Sequence, residues 1–274
     1  MNPERVTVIE ARPGWLALNL RELGGFHELL WFFLWRDLKS RYRQMALGPL
    51  WMILQPLINT LLFTVLFSVV ARVPSDGLPY PLFTYSALLL WTFFTQCAES
   101  AASSLLGFRN LMAKVYFPRL LAPLVGVLAA AVEFAISFAI LAGVFWAFGH
   151  PPTLSWLAVP VVLAPVGILG LGIGLWAAPG VVHFRDVSQI LSFLLRAAMY
   201  LSPVVYPSSL IPADWQSVYH LNPLVGVLEA WRGILFGTPV AWSGLLPATG
   251  VGLLVLVTGA YVFRRGERNI VDVV

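Results

Sequence analysis

The chain has 274 residues, of which 59% are hydrophobic and 11% charged, and its mean hydropathy is +0.81. An ordinary soluble domain is about 25% charged, so this composition excludes a water-soluble fold and indicates an all-α polytopic membrane protein. The formal net charge of +4 is carried by basic residues that cluster at the ends of apolar runs, which fits lipid headgroups and excludes a nucleic-acid-binding face.

The N-terminal part of the chain precedes the first long apolar run. Residues 1–25 form a polar lead without the apolar stretch of a cleavable signal peptide, and we expect this lead on the cytoplasmic face. Residues 26–45 mix Trp and Phe with basic side chains, which is typical of an amphipathic helix lying in the membrane interface. Its cationic cluster consists of Arg36, Lys39, Arg41 and Arg43.

That cationic cluster has two interpretations, which are compatible with each other. In the first, it orients the neighbouring span and contacts anionic lipid headgroups. In the second, it captures a lipid-linked pyrophosphate, because planar guanidinium groups match the oxygen geometry of phosphate.

Six apolar runs are predicted to cross the membrane. A helix rises about 1.5 Å per residue, so about 20 residues cross a hydrocarbon core of about 30 Å. The fourth run is rich in glycine, and small residues let helices approach closely within a membrane. The predicted spans are residues 50–71, 82–106, 120–148, 154–179, 187–206 and 243–263.

Two connecting segments stand out. Residues 107–119 form a short basic and aromatic loop on the predicted inner side, between the second and third spans. Residues 207–242 are apolar but interrupted by four prolines, so they are too broken for a span and too apolar for a solvated loop. We expect this second segment to form re-entrant helices that dip into the outer leaflet, between spans five and six.

The distribution of charge gives the orientation. All but three of the 17 Lys and Arg residues lie in segments predicted to be inner. The exceptions are Arg72 and Arg232 in outer segments and Arg196 within a span. Basic residues gather on the cytoplasmic side, so we expect both termini in the cytoplasm of a multi-pass protein.

The sequence contains no catalytic motif, no nucleotide-cradling loop and no metal-ligand spacing. Three ionisable residues, Glu99, Glu133 and Arg196, fall within predicted spans. Charge inside a membrane is costly, so these residues predict either a functional role or a structural contact such as Glu133 with Arg196. Glu99 lies near the inner end of its span, where its carboxylate could reach water.

Four stretches, in this order along the chain, resemble the permease subunits of polysaccharide-exporting ABC transporters. These subunits export O-antigen, teichoic acid and capsule chains. The resemblance covers nearly the whole chain from about residue 26. The four stretches are residues 36–56 (with RDLKSRY, LGPLW and QP), 110–119 (NLMAKVYFPR), 202–232 (with SPVVYP, NPL and WR) and 263–274 (FRRGERNIVDVV).

This resemblance implies a mechanism and the residues that serve it. It implies a homodimer that works with two separate ATP-binding subunits, which hold ATP and Mg²⁺, so that this chain is not itself an enzyme and holds no cofactor. The cargo would be an undecaprenyl-pyrophosphate-linked glycan that crosses the bacterial inner membrane between the two permease copies. The segment of residues 107–119 would couple to the ATPase through Arg109, Asn110, Lys114, Tyr116, Phe117, Pro118 and Arg119. The segment of residues 207–242 and the residues just before it would gate the outer mouth through Pro203, Tyr206, Pro207, Asn222, Pro223 and Arg232.

Three alternatives remain open from the sequence. The first is an ABC permease for another cargo, such as a drug or a small lipid. The second is an intramembrane enzyme acting on lipid-linked sugars, which would need polar groups that meet at one depth. The third is an ion-coupled secondary transporter, whose transport would follow a proton gradient and not ATP.

Overall fold

The structure is a computed structural model that describes residues 25–42, 50–112 and 114–270, without the side chains of residues 52, 53 and 267–270. The predictions for the polar lead up to residue 24, for Arg43, for the LGP stretch before the first span and for the last four residues lie outside this description. All regular elements within the described ranges are helical, which confirms the all-α class.

The chain forms a succession of helices joined mostly by short turns. A π-helical segment, Thr64–Val70, follows α2, and 3₁₀ segments cover Leu154–Ala158, Ser208–Leu210 and Trp242–Gly244. The α-helices are α1 (His27–Tyr42), α2 (Leu50–Phe63), α3 (Tyr80–Gly107), α4 (Arg109–Met112), α5 (Leu121–Ala147), α6 (Val159–His183), α7 (Asp186–Tyr200), α8 (Ala213–Tyr219), α9 (Pro223–Phe236) and α10 (Leu245–Ile270).

Three helical stretches in the described part of the chain are long and apolar enough to cross a membrane. They are Leu121–Ala147, Leu154–His183 and Trp242–Gly266, which correspond to the third, fourth and sixth predicted spans. The first predicted span contains a shorter apolar helix, Leu54–Val70. The protein is therefore a multi-pass membrane protein, and the full count of six spans stays a prediction.

The other two predicted spans differ in character from these three. Helix α3 has 28 residues, enough for a span, but polar side chains interrupt its apolar run from Thr92 onward. Helix α7 ends at Tyr200, earlier than the predicted bound of 206. The helix ends there because the residue before a proline disfavours helical backbone. Pro203 and Pro207, four residues apart, both follow shortly after Tyr200.

Helix α3 lies at the centre of the fold. It packs against α5 on one side and α6 on another, and α10 packs on the far side of α6. Most of its side chains in the range from Tyr80 to Leu105 are buried. The helix therefore provides the frame against which the peripheral helices α2, α7 and α9 are placed.

Glycines allow α6 to sit against its two neighbours at backbone distance. A Cβ atom built on Gly170 would lie 2.7 Å from Cys97 Cβ on α3, and one built on Gly172 would lie 2.7 Å from the Leu256 backbone nitrogen on α10. Both distances are shorter than side chains tolerate. The predicted role of small residues in close helix packing is thus confirmed for α6.

Candidate functional site

The coupling segment, residues 107–119, divides into an exposed tip and a buried anchor. Helix α4 occupies its first half, and Arg109 and Asn110 are exposed on that helix. Lys114 and Tyr116 lie at the exposed tip, where the Tyr116 side chain is 61% exposed. The tip therefore presents basic and aromatic groups at the surface of the chain.

The second half of the coupling segment returns to the protein. Phe117 is only 4% exposed, and its ring centroid lies 5.1 Å from that of Phe33 on α1 in an edge-to-face contact. Phe108 completes the contact, 5.2 Å from Phe33. Pro118 and Arg119 are half-buried after this anchor. We call Phe33, Phe108 and Phe117 the three-ring cluster, and it ties α1 to the coupling segment.

The cationic cluster of α1 is largely engaged with the protein itself. The Arg36 guanidinium carbon lies 4.6 Å from the Phe108 ring centroid, a distance typical of a cation–π contact. Arg41 forms an ion pair with Asp37, one helical turn earlier, at 2.9 Å between Nη2 and Oδ2. Lys39 is exposed. Trp31 and Trp35 are also exposed, as expected of a helix with an aromatic face toward lipid.

Glu133, near the middle of α5, is joined to two other helices. Its Oε1 lies 3.3 Å from Nη1 of Arg41 on α1, and its Oε2 accepts a hydrogen bond of 2.8 Å from Nε2 of Gln96 on α3. The expectation that Glu133 pairs with Arg196 is therefore wrong. The carboxylate is paired with groups from α1 and α3, and both of these helices pack directly on α5.

Glu99 and Arg196 instead meet through a serine. The Ser192 hydroxyl donates a 2.6 Å hydrogen bond to Glu99 Oε1, and Arg196 Nε donates to the Ser192 carbonyl at 3.2 Å. Both charged side chains are exposed on the surface of the single chain. They form a polar contact between α3 and α7.

The predicted outer-gate residues come together around the turn that follows α7. Arg232 of α9 is buried, and its Nη2 donates to the carbonyls of Pro203, at 2.5 Å, and Val204, at 3.2 Å. The guanidinium carbon stacks 3.7 Å from the centroid of the Phe83 ring on α3. One arginine therefore holds α9, the turn and the central helix together.

The remaining outer-gate residues fix the ends of the same turn. The Asn222 side chain accepts from the Leu224 amide at 3.0 Å, which caps α9, and donates to the Ser202 hydroxyl at 2.9 Å. Pro223 is the first residue of α9, where its missing N–H costs no hydrogen bond. Pro207 precedes the 3₁₀ segment that follows the turn.

Two tyrosines close the outer side of this region. Tyr206 donates to the Tyr200 carbonyl at 3.0 Å, and Tyr219 donates to the Tyr206 hydroxyl at 3.3 Å. Burial raises the pKa of Tyr219, so its hydroxyl stays protonated and remains a donor.

Several of these contacts involve residues that the sequence did not single out. Tyr80 donates to the Val205 carbonyl at 2.7 Å, and Trp231 donates to the Ser86 carbonyl at 2.8 Å. Gln96 is a partner of Glu133. An isolated amide in an apolar run was the available signal for Gln96, and Trp231 belongs to the WR pair of the third matching stretch, whereas nothing local marks Tyr80.

A cavity of about 370 Å³ lies between α1, α2, α3 and α5, beside the Glu133 network. Its lining combines charged, amide and hydroxyl groups with aromatic and aliphatic walls. The lining residues are Arg41, Trp51, Gln55, Pro56, Asn59, Leu88, Leu89, Thr92, Phe93, Gln96, Glu133, Phe134 and Ser137. In the described part of the chain, no three His, Cys, Asp or Glu side chains come together as metal ligands.

Comparisons with known proteins agree with this architecture. The family model described as ABC-2 type transporter matches residues 28–236. The chain is 25% identical over 252 residues to a Klebsiella pneumoniae protein named O-antigen export system permease protein RfbA, covering 91% of this chain and 96% of that protein. It is 32% identical over 220 residues to a protein of the same name from Myxococcus xanthus, covering 79% and 84%.

A further relative carries a different polysaccharide in its name. The chain is 23% identical over 202 residues to the polysialic acid transport protein KpsM of Escherichia coli, covering 72% of this chain and 77% of that protein. Similarity thus extends to proteins named for the transport of two different glycans.

Proposed function

Because this chain belongs to the ABC-2 type transporter family, we propose that it is the transmembrane subunit of an ATP-driven exporter of lipid-linked polysaccharide. The cargo is a glycan such as O-antigen, carried on undecaprenyl pyrophosphate. It moves from the cytoplasm across the bacterial inner membrane. The observation that carries this proposal is the similarity over 91% of the chain to a permease named for O-antigen export.

The power for export comes from a separate ATP-binding subunit, which holds ATP and Mg²⁺. The exposed tip around Lys114 and Tyr116 supports this, because it presents basic and aromatic groups in a segment too short to be a domain. Arg109 and Asn110 extend the docking surface along α4. Phe117, Pro118 and Arg119 connect this surface to α5, which transmits the movement as a rigid body.

The outer side of the passage is gated by the segment around Arg232 and Asn222. Its two helices, α8 and α9, both contact the turn after α7, and Arg232 of α9 also contacts the central helix α3. Displacement of α7 should therefore move the gate segment. Two copies of the chain form the passage between them, with both termini in the cytoplasm. Lys39 and Arg36, at the inner end, contact the headgroup or pyrophosphate of the carrier lipid.

Reconstitution with the ATPase partner tests this function. The chain is purified together with its ATPase subunit, placed in inside-out vesicles, and supplied with undecaprenyl-pyrophosphate-linked O-antigen. We expect ATP hydrolysis to rise with the glycan, and the glycan to become protected from added glycosidase in the vesicle lumen only when ATP is present.

The control for that experiment is a hydrolysis-deficient ATPase partner, which should bind but not export. ATP turnover by this chain in isolation would contradict the proposal. So would protection of the glycan that follows an imposed proton gradient without ATP.

A further inference from the structure

The cavity beside Glu133 has features of a binding site that the export mechanism above does not use. Its volume of about 370 Å³ falls in the range of about 300–1,000 Å³ typical of sites for small organic groups. Such sites combine apolar walls with a few placed polar groups. Here Trp51, Phe93 and Phe134 supply aromatic walls.

Two amide side chains face this cavity from α2. Gln55 and Asn59 are four residues apart, which puts them on one side of the helix, and both line the cavity. Neither takes part in the side-chain hydrogen bonds seen within the described residues. Both side chains are exposed on the single chain, and amides on a largely apolar helix are costly in contact with lipid, so these two positions suit a ligand that supplies hydrogen-bonding partners.

The charges of the cavity argue against an anionic ligand. Among the described lining residues, Arg41 is the one cation, and it already contacts the carboxylates of Asp37 and Glu133. A phosphate placed here would meet the Glu133 carboxylate and a neutralised arginine. The described lining therefore favours a neutral group over the pyrophosphate considered for the cationic cluster.

We propose that this cavity binds an uncharged, hydroxyl-rich group, of the size of a single sugar ring. Hydroxyl groups can donate to Glu133 and to the amide oxygens of Gln55 and Asn59, and can accept from the amide nitrogens. The C–H face of a sugar ring can lie against Trp51, which is part of the same wall. This inference rests on the proposed export of a glycan and adds to it a contact site for sugar units, which shares only Arg41 with the cationic cluster.

Ligand-observed saturation-transfer NMR on the permease–ATPase complex in phosphatidylethanolamine–phosphatidylglycerol nanodiscs tests the inference. The probes are methyl glycosides of glucose, galactose, mannose and rhamnose, each at about 10 mM, which detects a Kd in the millimolar range. Glycerol 3-phosphate serves as the anionic probe. The variants are the double replacement Gln55→Leu with Asn59→Leu and, as the matched control, Gln189→Leu on α7, whose amide lies outside the cavity lining.

We expect at least one glycoside to receive saturation from the complex. Its binding should weaken about tenfold in the double variant, which loses two hydrogen-bonding groups, and persist in Gln189→Leu. Leucine is favourable in a membrane helix, so the double variant should insert normally, and an unchanged melting temperature confirms it. Glycerol 3-phosphate should give no signal that depends on the two amides.

Absence of glycoside binding, or equal binding by the double variant, overturns the inference. Amide-dependent binding of glycerol 3-phosphate also overturns it, because the site would then be an anion site. These results are independent of the export assay. If the glycan is exported but no glycoside binds the cavity, only this inference is contradicted. If a glycoside binds but ATP does not drive export, the proposed function is contradicted.

Discussion

Arg232 shows how a charged residue is accommodated within an apolar segment. Its guanidinium is buried, but two backbone carbonyls accept from it and the Phe83 ring covers one of its faces. Carbonyls of the turn after α7 cannot be paired within a helix, since α7 has already ended. Arg232 thus supplies a hydrogen-bond donor to carbonyls of the turn that contains Pro203. Those carbonyls in return offset part of the cost of burying its charge.

Replacement of Arg232 should therefore destabilise the outer-gate region. We expect Arg232→Leu to cost about 1.5–3 kcal/mol, the range for hydrogen bonds that involve a charged donor. Arg232→Lys keeps the charge and N–H donors but loses the planar stacking on Phe83, so its cost should be smaller than that of Arg232→Leu. Thermal unfolding in detergent measures both, with Arg185→Leu at an exposed position as the control. Equal melting temperatures for Arg232→Leu and Arg185→Leu would contradict this assignment.

The sequence identifies candidate residues more readily than their contacts, because contacting residues can lie far apart along the chain. The predicted outer-gate residues lie far apart in sequence, and the structure brings Arg232 and Asn222 together at the turn that contains Pro203, whereas their gating role stays a prediction. The partner of Glu133 was assigned wrongly, because Arg41 is 92 residues away and belongs to a helix that was expected to lie in the interface. Composition identifies a costly charge, but the helix arrangement decides which group neutralises it.

At the scale of elements, α6 serves as the contact between α3 and α10. Its glycines are divided between two faces: Gly170 and Gly174 approach α3, and Gly172 approaches α10. A side chain at these positions would meet backbone atoms, which cannot rotate away. The packing of the three helices is therefore fixed by the absence of side chains.

Adding one methyl group at Gly172 should separate α6 from α10. We expect Gly172→Ala to cost about 1–3 kcal/mol, as overpacking does in tight cores. The control is Gly143→Ala on α5, where a built Cβ meets no atom within 4 Å. The melting temperature in detergent should fall for the first variant and hold for the second. A stable Gly172→Ala protein would mean that the two helices can move apart freely.

The coupling segment should respond differently at its tip and at its anchor. Tyr116→Ala removes an exposed ring, so we expect normal folding and ATP binding by the complex but loss of glycan-stimulated hydrolysis. Phe117→Ala empties a buried position in the three-ring cluster and should cost about 3–5 kcal/mol. Melting temperature and ATPase rate, measured on both variants, separate the two effects. Full export by Tyr116→Ala would count against the tip as the docking point.

Element boundaries followed from the sequence where apolar runs ended at clear breaks. The third predicted span, residues 120–148, is matched closely by α5, Leu121–Ala147. The helix of the fifth predicted span ends earlier than predicted. Residues 201–206 are apolar enough to continue a span, but in the structure they form a turn that Arg232 binds. Hydropathy measures transfer to lipid and does not distinguish a helix from a buried turn of the same composition.

At the scale of the whole molecule, orientation in the membrane follows from the placement of basic residues. The coupling segment carries Arg109 and Lys114, whereas the connection after α9 contains neither Lys nor Arg. Lys114 and Thr238 are both exposed, one in each region. We therefore predict that the two positions lie on opposite sides of the bilayer.

Cysteine labelling of intact cells measures this orientation. Cys97 is buried and is replaced by alanine to give a background without cysteine. Single cysteines are then introduced as Lys114→Cys, Thr238→Cys and Asp272→Cys. We expect a membrane-impermeant maleimide to label Thr238→Cys alone in cells with a permeabilised outer membrane, and the other two only after lysis. Labelling of Asp272→Cys in unlysed cells would place the C-terminus outside and contradict its predicted cytoplasmic position.

The three-ring cluster has a consequence for how the transporter meets its surroundings. Phe117 and Phe108 are in contact with Phe33, so movement of the coupling segment should also displace α1, whose exposed Trp31 and Trp35 are predicted to face lipid. The bilayer would then resist the movement that the proposed ATP-binding subunit drives. Lipids that bind the Trp31 and Trp35 indoles more tightly should therefore slow ATP hydrolysis, even when the nucleotide site and the cargo are unchanged.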